Sequence, residues 1–275
     1  MASERVPPSD HETDAGVFFA RRPEPLLAPW VERILGYEER GSGLDGSTEA
    51  ASFVVPLVIG FGEDFRIGLA RTPTVDDRHG SFASGLYPGP VVISSTGRAA
   101  CVQIDFTPLG AQRFFRVSMP DMAGRLVHLA DLDDRGVADL KSQLGDTAAW
   151  TDRLDHVESF LMHRLAAIET RQDELAWAYA TIRASGGSAR IEHLATRIGW
   201  SRKHFSRRFT ESFGLRPKTV ARMARFHAAL GMVGGPDVDW ADIAFACGYA
   251  DQSHLTRDFA EFAGLPPARW LARAA

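Results

Sequence analysis

The C-terminal third of this 275-residue chain contains an internal repeat. The first copy spans residues 191–214 (IEHLATRIGWSRKHFSRRFTESFG), and the second spans residues 242–264 (DIAFACGYADQSHLTRDFAEFAG). Gly199 aligns with Gly248, and beyond these glycines the second copy is one residue longer. A repeat of this length is normally one supersecondary unit used twice, so it restricts the possible folds more than any other feature.

Each copy predicts a short helix, a tight turn and a second helix. In the first copy Ser201 is a suitable N-cap, and Phe205 and Phe209 lie four residues apart on one apolar face. Gly214 is suited to end that helix. This arrangement is a helix-turn-helix unit; the alternative is a pair of amphipathic hairpins that only build a helical domain. The expected units span about residues 187–216 and 239–266.

The formal net charge of −4 is unevenly distributed along the chain. Between residues 202 and 225 there are eight basic residues and one acidic residue, Glu211, whereas the N-terminal part has an acidic excess. A concentration of cations on one helix and the helix after it is what phosphate binding requires. The charge pattern therefore favours DNA contact by the C-terminal part and not by the rest.

Four motifs of the repeat occur together. They are Ala195, Gly199, Trp200 and Ser201 in the first turn, G-L-x-P at residues 214–217, I-A-F-A-C-G-Y followed by S-H-L-T-R-D-F in the second unit, and G-L-P-P at residues 264–267. From about residue 173 to its end, the chain resembles the DNA-binding domain of AraC/XylS-family transcription regulators. The resemblance implies two helix-turn-helix subdomains joined by a long helix at about residues 218–232. Both recognition helices would then enter successive major grooves of bent DNA.

The resemblance also implies which side chains contact DNA. The expected base-reading residues of the first unit are Lys203, Ser206 and Arg207. Those of the second unit are Gln252, Ser253, Thr256 and Arg257. The expected phosphate contacts are Arg202, Arg208, Arg222 and Arg225, and Ser201 completes the DNA-binding set. Phosphate contacts position a protein on DNA, whereas an arginine such as Arg207 can specify a guanine through two hydrogen bonds.

Apolar runs separated by turn signals predict strands in the N-terminal half. These runs are residues 51–60, 65–71, 80–86, 91–95 and 99–106. The remaining segments are predicted as a disordered N-terminus at 1–16, a short helix at 28–35 and a loop at 37–47. Residues 102–115 resemble the β-rich, often cupin-like regulatory domains of some AraC-like proteins. We therefore expect an α+β fold. Its β-rich sensor domain, at residues 17–145, would be a cupin-like fold, a small barrel or a sandwich.

A helical connector is expected at residues 146–172, before a DNA-binding domain at residues 173–275. Its apolar residues recur at helical spacing. They are Trp150, Leu154, Val157, Phe160, Leu161, Leu165 and Ile168. Such a stripe is either part of the core or a dimer interface, and the sequence leaves both interpretations open.

Other classes of site find little support in the sequence. Cys101 and Cys247 are too few for a disulfide framework or a metal site, and His79 and His128 are isolated, so no metal and no cofactor are expected. Neither G-x-S-x-G nor H-E-x-x-H occurs, so the chain is not expected to be an enzyme.

The sequence thus predicts a cytoplasmic transcription regulator that binds double-stranded DNA. The N-terminal half would modulate it through a small-molecule effector or through homodimer formation, and RNA polymerase is a further partner to consider. No membrane contact is expected, since the longest apolar run, residues 53–61, is too short to span a bilayer. The alternative is a DNA-binding module fused to an enzymatic or protein-interaction domain that senses no ligand.

Overall fold

The structure is a computed structural model that describes residues 11–13, 15–166, 174–234 and 238–274. Its N-terminal half is β-rich and its C-terminal half is helical, as the α+β prediction requires. The described strands are β1 (His11–Thr13), β2 (Gly16–Arg21), β3 (Val31–Glu39), β4 (Ser47–Glu49), β5 (Val55–Gly60), β6 (Phe65–Leu69), β7 (Arg78–His79), β8 (Ser81–Ser84), β9 (Val91–Ser94), β10 (Ala100–Phe106) and β11 (Leu126–His128).

These strands form two antiparallel sheets. The larger sheet has the order β1-β2-β3-β10-β5-β8-β11, and the smaller has the order β4-β9-β6-β7. Alternate residues of β10 point to opposite faces of the larger sheet. Cys101 packs with Tyr37 and Phe65 in a cluster between the two sheets, whereas Val102 and Ile104 pack into the main core on the other face. Each of the five predicted runs contains a strand: β5, β8 and β10 belong to the larger sheet, and β6 and β9 belong to the smaller one.

The prediction for the first 47 residues is wrong in three places. Residues 28–35 were expected to be helical and 37–47 to be a loop, but residues 31–39 form β3, which lies between β2 and β10. The spacing of Val31, Ile34 and Leu35 is compatible with a helix, yet pairing on both edges of β3 outweighs this local preference. Residues 11–13 and 16–21 form a paired hairpin, so the disorder expected for 1–16 does not apply to them; residues 1–10 lie outside the described residues.

In the described residues of the N-terminal half, four α-helices follow β10. They are α1 (Pro108–Phe115), α2 (Met119–Met122), α3 (Arg135–Asp146) and α4 (Trp150–Leu165). Helix α1 packs on β10, and α4 packs on β3 of the larger sheet. The apolar stripe of α4 is buried within the chain at Leu154, Val157, Leu161 and Leu165. Trp150 stacks on Phe19 at 4.5 Å between ring centroids. The stripe is therefore part of the core and is not free to form a dimer interface; Ile168 lies outside the described residues.

The C-terminal half is built from seven helices in the described residues. They are α5 (Glu174–Ala184), α6 (Ile191–Ile198), α7 (Arg202–Phe213), α8 (Pro217–Gly231), α9 (Trp240–Ala246), α10 (Gln252–Ala263) and α11 (Pro267–Ala274). Helices α6 and α7 are the first predicted unit, α9 and α10 are the second, and α8 is the predicted long connecting helix. Phe209 and Phe226 are among the fully buried aromatic residues around which these helices pack.

The two histidines that the sequence analysis treats as isolated lie side by side. The rings of His79 and His128 stack with centroids 5.0 Å apart, because β7 and β11 meet where the two sheets adjoin. No group of three or more His, Cys, Asp or Glu side chains is placed to hold a metal ion within the described ranges. Burial raises the pKa of Cys101 to about 12, which makes its thiol a poor nucleophile. Among the helices that the structure describes, each is too short or too polar to cross a membrane.

The N-terminal half contacts both helix-turn-helix units. Helices α1 and α2 pack against α7, and a Cβ atom added to Gly214 would lie 2.9 Å from the carbonyl oxygen of Met119. A second contact is made by residues 46–53, which we call the docking segment. Within it, the amide of Ala51 donates to the carbonyl oxygen of Phe262 at the end of α10, at 2.8 Å. The carbonyl oxygen of Ala51 lies 2.7 Å from Nε2 of His227 on α8.

We expect His227 to make the stability of this contact dependent on pH. Burial lowers the pKa of His227, and the charge of Arg183 lowers it further, while the hydrogen bond to Ala51 acts in the opposite direction. A histidine with a lowered pKa contributes stability above its ordinary pKa, and that stability is lost as the pH falls below about 6.5 towards the lowered value. We expect the free energy of unfolding to fall more between about pH 7.5 and 5.5 in the wild type than in His227→Gln.

This expectation is tested by urea unfolding of both proteins at several pH values. The matched control is His193→Gln, since His193 is exposed on α6 and should leave the pH dependence of the wild type unchanged. An identical pH dependence in the wild type and His227→Gln would show that this histidine does not sense pH.

Candidate nucleic-acid interface

The first unit has the geometry that its sequence predicts. Helix α6 ends at Gly199, whose φ of 80° is accessible to glycine at little cost, and the chain turns directly into α7. The hydroxyl of Ser201 accepts a hydrogen bond from the amide of His204 at 3.2 Å, which caps α7. Phe205 and Phe209 are fully buried, so the opposite face of α7 is fixed towards solvent.

Three predicted base-reading residues lie on that outer face. Lys203 is exposed and Ser206 is half-buried. The Arg207 side chain is 65% exposed. One Nη of Arg207 lies 3.4 Å from Nδ1 of His204, and its Nε lies 4.0 Å from Glu211. These contacts are long and solvated, so the guanidinium is available for another partner.

Two predicted phosphate contacts flank this face. Arg202 pairs with Glu192 at 2.9 Å, and Arg208 pairs with Glu211 at 3.0 Å. All four side chains are about half or more exposed. Exposed pairs of this kind contribute about 0–1 kcal/mol, so either arginine can exchange its carboxylate for a phosphate at little cost.

The second unit repeats the arrangement with less positive charge. The carboxylate of Asp251 accepts from the amide of His254 at 2.7 Å and caps α10. Gln252 and Ser253 are exposed in the first turn of α10, which gives them access to a ligand in front of the helix. The hydroxyl of Thr256 donates to the backbone carbonyl of Gln252, and Arg257 Nε donates to that of Ser253 at 3.3 Å. This face combines neutral hydrogen-bonding groups with one exposed arginine.

Arg222 and Arg225, the other two predicted phosphate contacts, lie on the connecting helix α8 as expected, but their side chains contact groups of the domain itself. Arg222 donates to the carboxylates of Asp258 and Glu261 on α10, where Asp258 is only 1% exposed. Arg225 lies over the ring of Tyr249 at 5.3 Å and approaches the carbonyl oxygen of Gly187. Both guanidinium groups are engaged within the domain. The prediction that they contact phosphate is therefore not supported by their placement.

Asp258 is a residue of the second unit that the sequence analysis does not single out. It lies next to Phe259 on the buried side of α10. A carboxylate that falls within an apolar helical stripe needs a cation, because an unpaired buried charge is very costly. That requirement is a usable signal in the sequence, and the basic residues of the connecting helix α8 are the available partners.

Comparison with known proteins agrees with this geometry. Residues 194–273 match a family model described as a helix-turn-helix domain. No curated protein matches the chain significantly.

Among solved structures, ToxT from Vibrio cholerae is 11% identical, with a TM-score of 0.45 over 87% of this chain and 98% of that chain. ToxT bound to (E)-4-(8-methylnaphthalen-1-yl)but-3-enoic acid is 10% identical, with a TM-score of 0.46 over 88% and 99%. The AraC-like transcriptional activator CuxR is 14% identical, with a TM-score of 0.31 over 83% and 85%.

The identities and TM-scores of these solved structures are low, so the assignment of the C-terminal domain rests on the family model and on the two capped units. The matched region begins within α6 and contains α7, the joining helix α8 and the whole second unit. Residues 194–273 are therefore a helix-turn-helix domain.

Proposed function

We propose that this protein is a sequence-specific, DNA-binding transcription regulator, present in the cytoplasm with its target. The observation that carries the proposal is the pair of capped units, each of which presents an exposed polar face on its second helix. Helices α7 and α10 are the recognition helices, and they read two subsites in neighbouring major grooves. Such subsites are separated by about one helical turn, or about 34–36 Å.

The two recognition helices contribute differently to binding. On α7, Arg202 and Arg208 contact phosphates while Lys203, Ser206 and Arg207 read bases. On α10, Gln252, Ser253, Thr256 and Arg257 read bases with little electrostatic support. The amide groups at the start of each helix, together with Ser201, favour nearby phosphates. Most of the salt-sensitive affinity therefore comes from the first unit.

The N-terminal half controls this binding through its contacts with both units. Because α1 and α2 pack on α7 while the docking segment packs on α8 and α10, a change of shape in the β-rich half acts on both recognition helices. A small-molecule effector or formation of a homodimer would supply that change. RNA polymerase is the partner that a DNA-bound activator would contact.

The proposal is tested by selecting duplexes from a random pool and measuring affinity for the selected sequence at several salt concentrations. The two phosphate contacts, Arg202 and Arg208, should each displace a counterion. A slope of about −0.9 per contact predicts that affinity falls about tenfold between about 50 and 200 mM salt. A pool without an enriched sequence would contradict sequence-specific binding, and a flat salt dependence would contradict the phosphate contacts.

A further inference from the structure

The position of the second recognition helix depends on its attachment to the connecting helix α8. The first unit packs on α8 through α7, and the turn that leads into it is close to α8 as well: a Cβ atom added to Gly187 would lie 2.0 Å from the carbonyl oxygen of Ala221. The second unit meets α8 through Phe226, whose ring lies 5.0 Å from that of Phe259 and 5.5 Å from that of Phe262. Contacts between apolar rings are attractive without fixing a unique register.

A network of charged hydrogen bonds crosses the same interface between α8 and the second unit, which we call the joint. Nε and one Nη of Arg222 donate to a single oxygen of Asp258, at 3.2 and 2.6 Å. The other Nη donates to Glu261 at 3.0 Å, and the guanidinium lies 5.0 Å from the centre of the Phe262 ring. Hydrogen bonds with both carboxylates raise the pKa of Arg222, so its charge is permanent.

Arg222 cannot leave this network without a large cost. The Asp258 side chain is 1% exposed, and loss of its partner would leave an uncompensated charge in the interior. A phosphate contact by Arg222 would require that loss, whereas Arg208 gives up only an exposed partner. Directional, buried charge pairs are best known for fixing register between packed elements.

We propose that Arg222 is a positioning residue that, through Asp258 and Glu261, sets the distance between the two DNA subsites that this protein reads. The inference rests on the proposed function. One inserted base pair moves the second subsite by about 3.4 Å and rotates it by about 35° about the DNA axis. A joint with one register discriminates strongly against that change, and a joint held only by apolar contacts tolerates it.

The test uses the full chain and the duplex selected above, with one or two base pairs added or removed between the subsites. The wild type should lose about tenfold in affinity or more for each changed base pair. Arg222→Met, which keeps the apolar length of the side chain, should lose less than about threefold. The change in preference should be partial in Glu261→Gln, which removes only the exposed half of the network. The docking segment holds the same two helices, so complete loss of discrimination is not expected.

Arg208→Met is the matched control, because it removes an arginine that pairs only with Glu211 on the surface. It should bind every spacing more weakly, keep the wild-type preference, and reduce the salt slope by about one. The same result for Arg222→Met would overturn the inference and restore Arg222 as a phosphate contact.

Glu261→Gln changes an exposed side chain, so it keeps the test independent of folding. If Arg222→Met does not fold, an unchanged spacing preference in Glu261→Gln overturns the inference, and a relaxed preference supports it. Failure of the wild type to bind any selected duplex is a different result, because it refutes the proposed function itself.

Discussion

Phe209→Ala is expected to lower the free energy of unfolding by about 3–5 kcal/mol. The Phe209 side chain is fully buried at the centre of the first helix-turn-helix unit. Its ring lies 5.6 Å from Phe205, 4.6 Å from Phe213 and 6.2 Å from Tyr179 of α5. Removal of the ring leaves a cavity that these neighbours cannot fill without moving α7. Because α7 carries the most strongly cationic face, DNA affinity should fall together with stability.

The measurement is urea unfolding followed by a DNA-binding titration at a temperature where the variant is folded. Phe245→Ala is the matched control, since it deletes the same ring from α9 at a position that is 87% exposed. A surface change of this kind should alter stability by about 0.5 kcal/mol or less. Equal losses for the two variants would mean that burial of Phe209 contributes little.

Arg207→Ala is expected to lose about 1–3 kcal/mol of binding free energy on the selected duplex and to accept other bases at one position. The effect should appear in affinity and not in folding. Arg207 is 65% exposed, and its contacts with His204 and Glu211 are 3.4 and 4.0 Å long, so its removal leaves no buried group unpaired.

Affinities for a panel of duplexes that differ at single positions distinguish base reading by Arg207 from a sequence-independent phosphate contact. Arg208→Ala, one residue further along the same helix, should weaken binding to all of them by a similar factor, as expected for a phosphate contact. If Arg207→Ala also weakened binding uniformly across the panel, Arg207 would be a second phosphate contact and not a base-reading residue.

The helix-turn-helix units were predictable because their signals are local. Ser201 and Asp251 cap the helices that follow them, and Gly199 and Gly248 both have the positive φ that the turn requires. Each signal involves residues within a few positions of one another. A short stretch of sequence therefore specifies the unit, and the repeat shows that it occurs twice.

The N-terminal half was predicted less well because its structure depends on distant pairing. Strand β3 has an apolar spacing compatible with a helix, and its conformation is decided by β10, whose Ile104 pairs with Ile34. His79 and His128 are far apart in sequence and adjacent in space for the same reason. No local pattern in residues 31–39 indicates that they pair with β10, which lies about seventy positions further along the chain.

The site residues show a related limit. A basic helix face was correctly recognised, but sequence alone does not distinguish an arginine that faces solvent from one that is held by a buried carboxylate. Arg208 and Arg222 look equivalent in the sequence, and only Arg222 meets Asp258 in the folded chain. The residue that indicates this pairing in the sequence is Asp258, an acid on the apolar face of α10, and not the arginine.

Because the docking segment connects the two halves of this protein, neither half is expected to tolerate replacement by a domain from another protein. A hybrid in which another domain replaced the β-rich half would expose the ring of His227 and remove the amide of Ala51, which donates to the Phe262 carbonyl in the last turn of α10. Its helical half would also lose the anchor that Arg273 makes on the backbone of Gly46. A hybrid protein should therefore keep residues 46–53, or an equivalent loop, together with the helix-turn-helix domain.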